Sequence, residues 1–162
     1  MTKKVVLGGG CFWGLQELFR SRPGIIKTTA GYAGGGIKNP TYNNHEGHAE
    51  VLEIEYDEME TSYKNILDFF FQIHDPTTKD RQGNDIGSSY RSVIFYSNDE
   101  EKAEANYFID LVNKSKRWKK PVATTMEPFV KFYNAEDYHQ DYLQKYPAGY
   151  TCHYIRFGSY IA

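Results

Sequence analysis

Val5-Val6-Leu7-Gly8-Gly9-Gly10-Cys11-Phe12-Trp13-Gly14 is the stretch from which the rest of the chain is read. An apolar run breaks into three glycines, then comes a cysteine, then two large aromatics. Leu15, Leu18 and Phe19 recur at helical spacing, with Gln16, Glu17 and Arg20 on the other side. The stretch reads as strand, glycine turn and helix, with Cys11 in the first helical turn. Glycine lets the backbone bend tightly and approach a ligand closely. A helix N-terminus offers free N–H groups and partial positive charge, which predicts a lowered thiol pKa at Cys11. Phe12 and Trp13 can wall an apolar pocket around that sulfur. The plainer alternative is a glycine turn beside a small buried cysteine.

The chain has 162 residues, enough for one domain spanning 1–162 with a sizeable core. Its 19 basic and 21 acidic residues leave a net charge of −2, so bulk charge predicts no nucleic-acid partner. The 14 tyrosines predict a tyrosine-rich core and hydroxyls at the rim of apolar sites. Cys11 and Cys152 are the only cysteines, too few for a disulfide framework. The apolar run after Lys4 is too short for a signal peptide, and no run approaches transmembrane length. A reducing cytoplasm, no membrane and a monomer are expected.

Strands are predicted at Ile25–Tyr32 and Ala49–Tyr56, the second by clear alternation: Leu52, Ile54 and Tyr56 face one way, Val51, Glu53 and Glu55 the other. Ser62–His74 reads as a helix capped by Thr61 or Ser62 and stopped by Asp75-Pro76. Thr77–Ser89 reads as a polar loop, and Tyr90–Tyr96 as a strand. Ser97 and Glu100 fit a capping box for a helix to about Lys114. The basic run Lys114–Lys120 reads as a solvated helix end. Val122–Met126 fits a short strand, Asn134 a cap for a last helix over Ala135–Tyr146, and Tyr150–Ala162 an irregular tail. Two strands meet without an intervening helix, which argues for an α+β fold. The simplest is a ferredoxin-like α/β plait, a two-layer split βαβ sandwich, with an extra C-terminal helix and irregular tail.

Glu50 starts its strand on the face of Leu52 and Ile54. Pointed into an apolar site, its carboxyl stays protonated near neutrality and serves as a general acid; left at a frayed strand start, it is only a surface residue. Tyr42, Asp85 and Tyr90 lie in or beside loops dense in hydrogen-bonding groups and can converge on the thiol, or merely pack those loops. The five histidines show no metal-ligand spacing, so no zinc site is expected. The glycine turn lacks the Lys-Ser/Thr of a phosphate loop. Chemistry alone therefore leaves a thiol redox enzyme with a carboxyl acid, a cysteine hydrolase with an unidentified histidine base, or a noncatalytic module with an aromatic pocket.

Gly10-Cys11-Phe12-Trp13-Gly14 resembles the signature of the A-type peptide methionine sulfoxide reductases. The resemblance continues through Gly31-Tyr32-Ala33-Gly34-Gly35, Asn39-Pro40-Thr41-Tyr42, Gly47-His48-Ala49-Glu50-Val51 and His74-Asp75-Pro76-Thr77. It runs on in Gln82-Gly83-Asn84-Asp85-Ile86-Gly87, Ser89-Tyr90-Arg91-Ser92, Ala135-Glu136, Tyr138-His139-Gln140 and Tyr142-Leu143, almost the whole chain. The resemblance implies thiol-dependent reduction of the S epimer of methionine sulfoxide, free or in peptides, through a cysteine sulfenic acid. It implies Cys11 as nucleophile, Glu50 as proton donor to the sulfoxide oxygen, and Tyr42 and Tyr90 hydrogen-bonded to that oxygen. Asp85 would organise the site and a bound water, with Phe12 and Trp13 holding the S-methyl group. No metal or organic cofactor is implied, only an external thiol reductant: thioredoxin, glutaredoxin or glutathione. Two departures stand out. The segment Asn43–Ala49 is shorter than in several relatives, and the C-terminal stretch lacks the resolving cysteines many members carry. Cys152 is left either as the resolving thiol or as a buried structural one, in which case an external thiol attacks the sulfenic acid directly.

Overall fold

The computed structural model describes residues 1–161. The first strand, β1 (Thr2–Gly9), buries Val5 and Leu7 in the main core and Val6 in a second cluster on the opposite sheet face. Gly10 then turns the chain at φ +99°, a left-handed geometry that suits glycine, and Cys11 becomes the N-cap residue of α1 (Phe12–Phe19). Leu15 and Phe19 of α1 pack into the main core.

β2 (Ile25–Ala33) and β3 (Ala49–Asp57) follow, and β3 lies antiparallel to both β1 and β2. α2 (Tyr63–Ile73) starts at Ser62, whose hydroxyl accepts the Asn65 N–H at 3.1 Å. It ends at His74, where the backbone turns extended before Asp75-Pro76. Phe69, Phe70 and Phe71 all point into buried surroundings, because α2 is covered by α1, by the sheet and by α3. α3 (Asp99–Ser115) is capped by Asn98, which accepts the Glu101 N–H at 2.8 Å, while Glu101 accepts the Ser97 N–H at 2.9 Å. The capping pair is therefore Asn98 and Glu101, one residue on from the Ser97–Glu100 expectation.

Other expectations need correction. The polar loop 77–89 contains a small hairpin, β4 (Arg81–Gln82) with β5 (Asp85–Ile86). Tyr90 does not begin a strand; it closes a 3₁₀ turn, Ser88–Tyr90, before β6 (Ser92–Tyr96). The strand expected at 122–126 is β7 (Thr125–Pro128), and β8 (Phe132–Asn134) was unanticipated, so Asn134 ends a strand instead of capping a helix. The long last helix is absent. Residues 135–146 form a 3₁₀ turn, Asp137–His139, and a single helical turn, α4 (Tyr142–Lys145). The reason is tertiary bonding. Gln140 spends its side chain on the backbone of Ala30, accepting its N–H and donating to its carbonyl, both at 2.9 Å. Asp141 then sits at φ +53°, which no helix continues through.

The six-stranded sheet has the order β7-β6-β1-β3-β2-β8, antiparallel except for β6 with β7. The class is α+β, as expected, but the sheet is not an open layer. β7 and β8 lie at opposite edges, yet only residues 129–131 join them. Four extended residue steps reach roughly 14 Å, whereas six flat strands are about 24 Å wide. The sheet must curl so that its edges approach. Gly34, at the end of β2, accordingly lies against Arg91 and Glu127 from the far edge, and a Cβ there would fall 2.6 Å from the Arg91 Nη2.

The residues after 146 form no helix or strand among those described, and wrap back over α1. His153 Nε2–H donates to Gly9 O at 2.6 Å, and its ring fills the space that a side chain on Gly14 would take. A Cβ at Gly14 would meet His153 Nδ1 at 2.2 Å. Gly14→Ala is therefore expected to lift the tail and destabilise the fold by about 1–3 kcal/mol, measurable as a lower urea midpoint; an unchanged midpoint would show that the tail is not seated there.

Candidate active site

Cys11 is 8% exposed, and the Trp13 backbone N–H donates to its sulfur. Glu50, paired with Tyr32 across β2 and β3, is 1% exposed. Its Oε1 accepts the Phe12 N–H at 3.2 Å. The first turn of α1 and the start of β3 thus bring thiol and carboxyl into one pocket. Burial pushes Glu50 up to about 8, against the opposing pull of the Phe12 N–H and with help from the Asp85 charge. At neutral pH Glu50 is a carboxylic acid with a proton to give.

Cys11 departs from expectation. Its thiol is shifted well upward, first by burial and then by the Glu50 charge; the Trp13 N–H only partly offsets this. The helix terminus is present, but loss of solvent outweighs it. Below about pH 8 Glu50 is uncharged and its repulsion of a thiolate lapses.

Tyr42 and Tyr90 come together, each phenol close enough to influence the other's ionisation. Both phenols are shifted upward, by burial first and the Glu50 charge second, so both remain hydrogen-bond donors. Asp85, on β5, accepts the Tyr150 hydroxyl at 3.1 Å, and burial raises its pKa. Cys152 is half-buried and lies close enough for its charge to act on Cys11. Both cysteines are free thiols.

Phe12 is fully buried, its ring 5.7 Å from Tyr32 and 5.1 Å from His139. Trp13 is half-buried and stacks on Tyr142 at 3.7 Å and 7°. Its Nε1–H donates to His139 Nδ1 at 3.0 Å. Phe12, Tyr32, Trp13 and Tyr42 belong to one apolar cluster, an aromatic cup beside the sulfur. Every residue singled out in the sequence therefore lies in this neighbourhood.

Supporting residues had no assigned role. Glu136 accepts the Tyr32 hydroxyl through Oε1 and the Tyr42 N–H through Oε2, each at 2.9 Å. His139 holds the indole, and His45 spans two loops. Their partners lie far away in sequence, so no local spacing betrays them. No group of His, Cys, Asp or Glu among the described residues could hold a metal ion. No histidine among them hydrogen-bonds to Cys11: His153 is committed to Gly9 and His139 to Trp13.

An oxidisable thiol beside a neutral acid, inside an apolar cup and with no histidine hydrogen-bonded to it among the described residues, has the makings of a thiol oxidoreductase and not of a hydrolase. The comparisons with known proteins agree. The family described as "Peptide methionine sulfoxide reductase" matches residues 3–159. Among curated relatives, the peptide methionine sulfoxide reductase MsrA of Mycolicibacterium paratuberculosis is 59% identical over 157 residues, covering 97% of this chain and 92% of the relative. Among solved structures, reduced Mxr1 from Saccharomyces cerevisiae superposes with a TM-score of 0.87 at 35% identity, over 96% of this chain and 93% of that one. The same yeast protein in complex with Trx2 matches with a TM-score of 0.66 at 29% identity, over 96% and 91%. The chain belongs to the peptide methionine sulfoxide reductase family, of the MsrA type, and is an oxidoreductase that reduces methionine sulfoxide. The noncatalytic and hydrolase readings are set aside.

The buried ionisable groups set a pH dependence of stability. Burial lowers His74 to about 3 and His153 to about 4 from an ordinary 6.5. Below pH 6.5 the unfolded chain binds these two protons and the fold does not, so their contribution is lost as pH falls. Glu50 acts oppositely: raised from 4.5 to about 8, it holds a proton that the unfolded chain releases, so stability falls as pH rises from 4.5 to 8. The three together predict a maximum near pH 6.5, with an acid-side slope on the order of 1.4 kcal/mol per pH unit. Urea titrations across pH 4.5–8 test this, and Glu50→Gln is expected to flatten the alkaline side.

Proposed function

We propose that the reaction runs on the S epimer of methionine sulfoxide, free or in peptides, with Cys11 as nucleophile and Glu50 as proton donor. The Cys11 sulfur bonds to the sulfoxide sulfur while Glu50 gives its proton to the oxygen. The thiol proton returns to Glu50. The oxygen then leaves the substrate for Cys11, whose sulfur loses two electrons and becomes a sulfenic acid, and the thioether of methionine departs. Tyr42 and Tyr90 hydrogen-bond the oxygen as its charge grows. Phe12 and Trp13 hold the S-methyl group, and Asp85 organises the polar side of the site. The observation that carries this reading is the inward, neutral carboxyl of Glu50 at the helix end that presents Cys11.

Cys152 then resolves the sulfenic acid: its sulfur attacks that of Cys11, a disulfide forms and water leaves. Its closeness to Cys11 supports this. An external dithiol regenerates both thiols. Thioredoxin is favoured over glutaredoxin or glutathione, since a family structure is a complex with Trx2. No prosthetic cofactor takes part. We also read residues 1–162 as one domain acting as a monomer in the reducing cytoplasm. No helix among the described residues is long and apolar enough to cross a membrane, and two lone thiols suit that compartment. The central order β6-β1-β3-β2 supports a ferredoxin-like split βαβ plait beneath the curl.

Single-turnover reduction of methionine S-sulfoxide tests the acid. Glu50→Gln keeps a neutral hydrogen-bond donor but loses the transferable proton, and is expected to slow the chemical step by at least about a hundredfold. The parent rate should fall as pH rises through about 8, and the variant should lose that limb. A Gln variant within about tenfold of the parent would reduce Glu50 to a hydrogen-bond donor. For Cys152, thiol counting after one turnover without reductant is expected to show both thiols lost to an intramolecular disulfide. A persistent sulfenic acid at Cys11 would instead assign resolution to the external thiol.

A further inference from the structure

The loop that carries Tyr42 closes on itself. Thr41 N–H donates to Asn44 O at 3.0 Å, and Asn44 N–H returns to Thr41 O at 3.1 Å, leaving Tyr42 and Asn43 at the tip. His45 comes next, its ring stacked on Tyr32 at 4.8 Å and 23°. Its Nδ1 lies 2.9 Å from Thr41 O, and its Nε2 lies 2.7 Å from Ser89 Oγ. A carbonyl can only accept, so Nδ1 carries the proton; in the neutral ring Nε2 then accepts from the Ser89 hydroxyl. One rigid ring therefore has one end on the Tyr42 loop and the other on the Ser88–Tyr90 turn.

We propose that His45 is a positioning residue that sets the Tyr42 and Tyr90 hydroxyls as a pair for the sulfoxide oxygen. This rests on the tyrosine roles given above. The Tyr42 and Tyr90 phenols lie close enough to influence each other's ionisation, so movement of either loop disturbs the pair. Tyr42 is held at its N–H by Glu136 Oε2, and the same carboxylate fixes the Tyr32 hydroxyl whose ring backs His45. The neighbouring tie, Arg91 to Ser88 O at 2.8 Å and to Gly47 O at 3.4 Å, grips the far end of the loop and leaves the Tyr42 tip to His45. Only Asn43 and Asn44 separate Tyr42 from His45, so the loop has little slack to absorb a lost spacer.

The oxygen gains charge as the Cys11 sulfur adds, so misaligned donors weaken the transition state more than the bound substrate. The loss should appear in the chemical step, with KM nearly unchanged. In single-turnover assays on the full chain with methionine S-sulfoxide, His45→Ala is expected to slow reduction about tenfold, the scale of one weakened hydrogen bond. Ser89→Ala should act similarly, and the double variant should be little worse than either, because the bridge is one unit. His45→Phe keeps the stacking on Tyr32 without the nitrogens; it should be as slow as His45→Ala while unfolding at the parent temperature. In a Y42F/Y90F background, already slow, His45→Ala should add nothing. If His45→Ala costs as much in that background as in the parent, or if His45→Phe is as fast as the parent, the positioning role is overturned. If Y42F/Y90F itself is as fast as the parent, the tyrosine reading fails, and the His45 role falls with it.

Discussion

The hydrogen bond from the Phe12 N–H to Glu50 Oε1 is the contact on which the site depends. It fastens the opening turn of α1 to the first residues of β3, so the elements that carry the sulfur and the carboxyl cannot drift apart. It also sets two effects against each other. A helix N-terminus favours a carboxylate, and burial favours the acid. Glu50 is almost wholly enclosed, a single N–H is too little compensation, and the acid form prevails. The same enclosure acts on Cys11. Shared lack of solvent thus holds both neighbours protonated: a carboxyl that would be ionised in neutral water, and a thiol pushed further from ionising.

That enclosure has to be built from distant parts of the chain. Gly10 and Gly14 let the tail lie directly on the first turn of α1, where His153 reaches the Gly9 carbonyl. Arg156 holds the same segment through the carbonyls of Ile73 and Cys152. The curl of the sheet contributes from the other side. It brings Gly34 and Gly47 against Arg91, and Arg91 in turn fixes the turn that presents Tyr90. Stability and site geometry are therefore not separable: the bonds that close the barrel-like sheet also place a hydroxyl.

The sequence made legible whatever is local. The alternation of β3 named the buried face correctly and put Glu50 on it, and the Ser62 cap and the Asp75-Pro76 stop framed α2. The glycine turn before Cys11 was equally plain. What stayed hidden depends on partners far along the chain. Residues 135–146 have helical composition, but Gln140 and Glu136 make better bonds to β2 and to Tyr42 than a helix would allow. β8 is three residues long and exists only because the curl brings it to an open edge of β2. The thiol shift was misread for a related reason. A helix terminus can be seen in a sequence, whereas the depth of burial around it cannot.

A raised thiol pKa looks at first like a handicap for a nucleophile, since the thiolate is the reactive form. The overall exchange removes the difficulty. A thiol and a sulfoxide become a sulfenic acid and a thioether, with no proton gained from or lost to solvent. In the proposed reaction the proton that leaves the Cys11 sulfur replaces the one that Glu50 gives to the transferred oxygen, so Glu50 ends the step as it began. A site that keeps both protons in place at rest needs no water channel for this step, and it avoids holding two buried anions side by side. Ionising Cys11 in advance would cost that separation whether or not substrate were present. Coupling the proton's departure to the arrival of a basic sulfoxide oxygen confines the cost to the productive encounter, and leaves the resting thiol a poor target for other electrophiles.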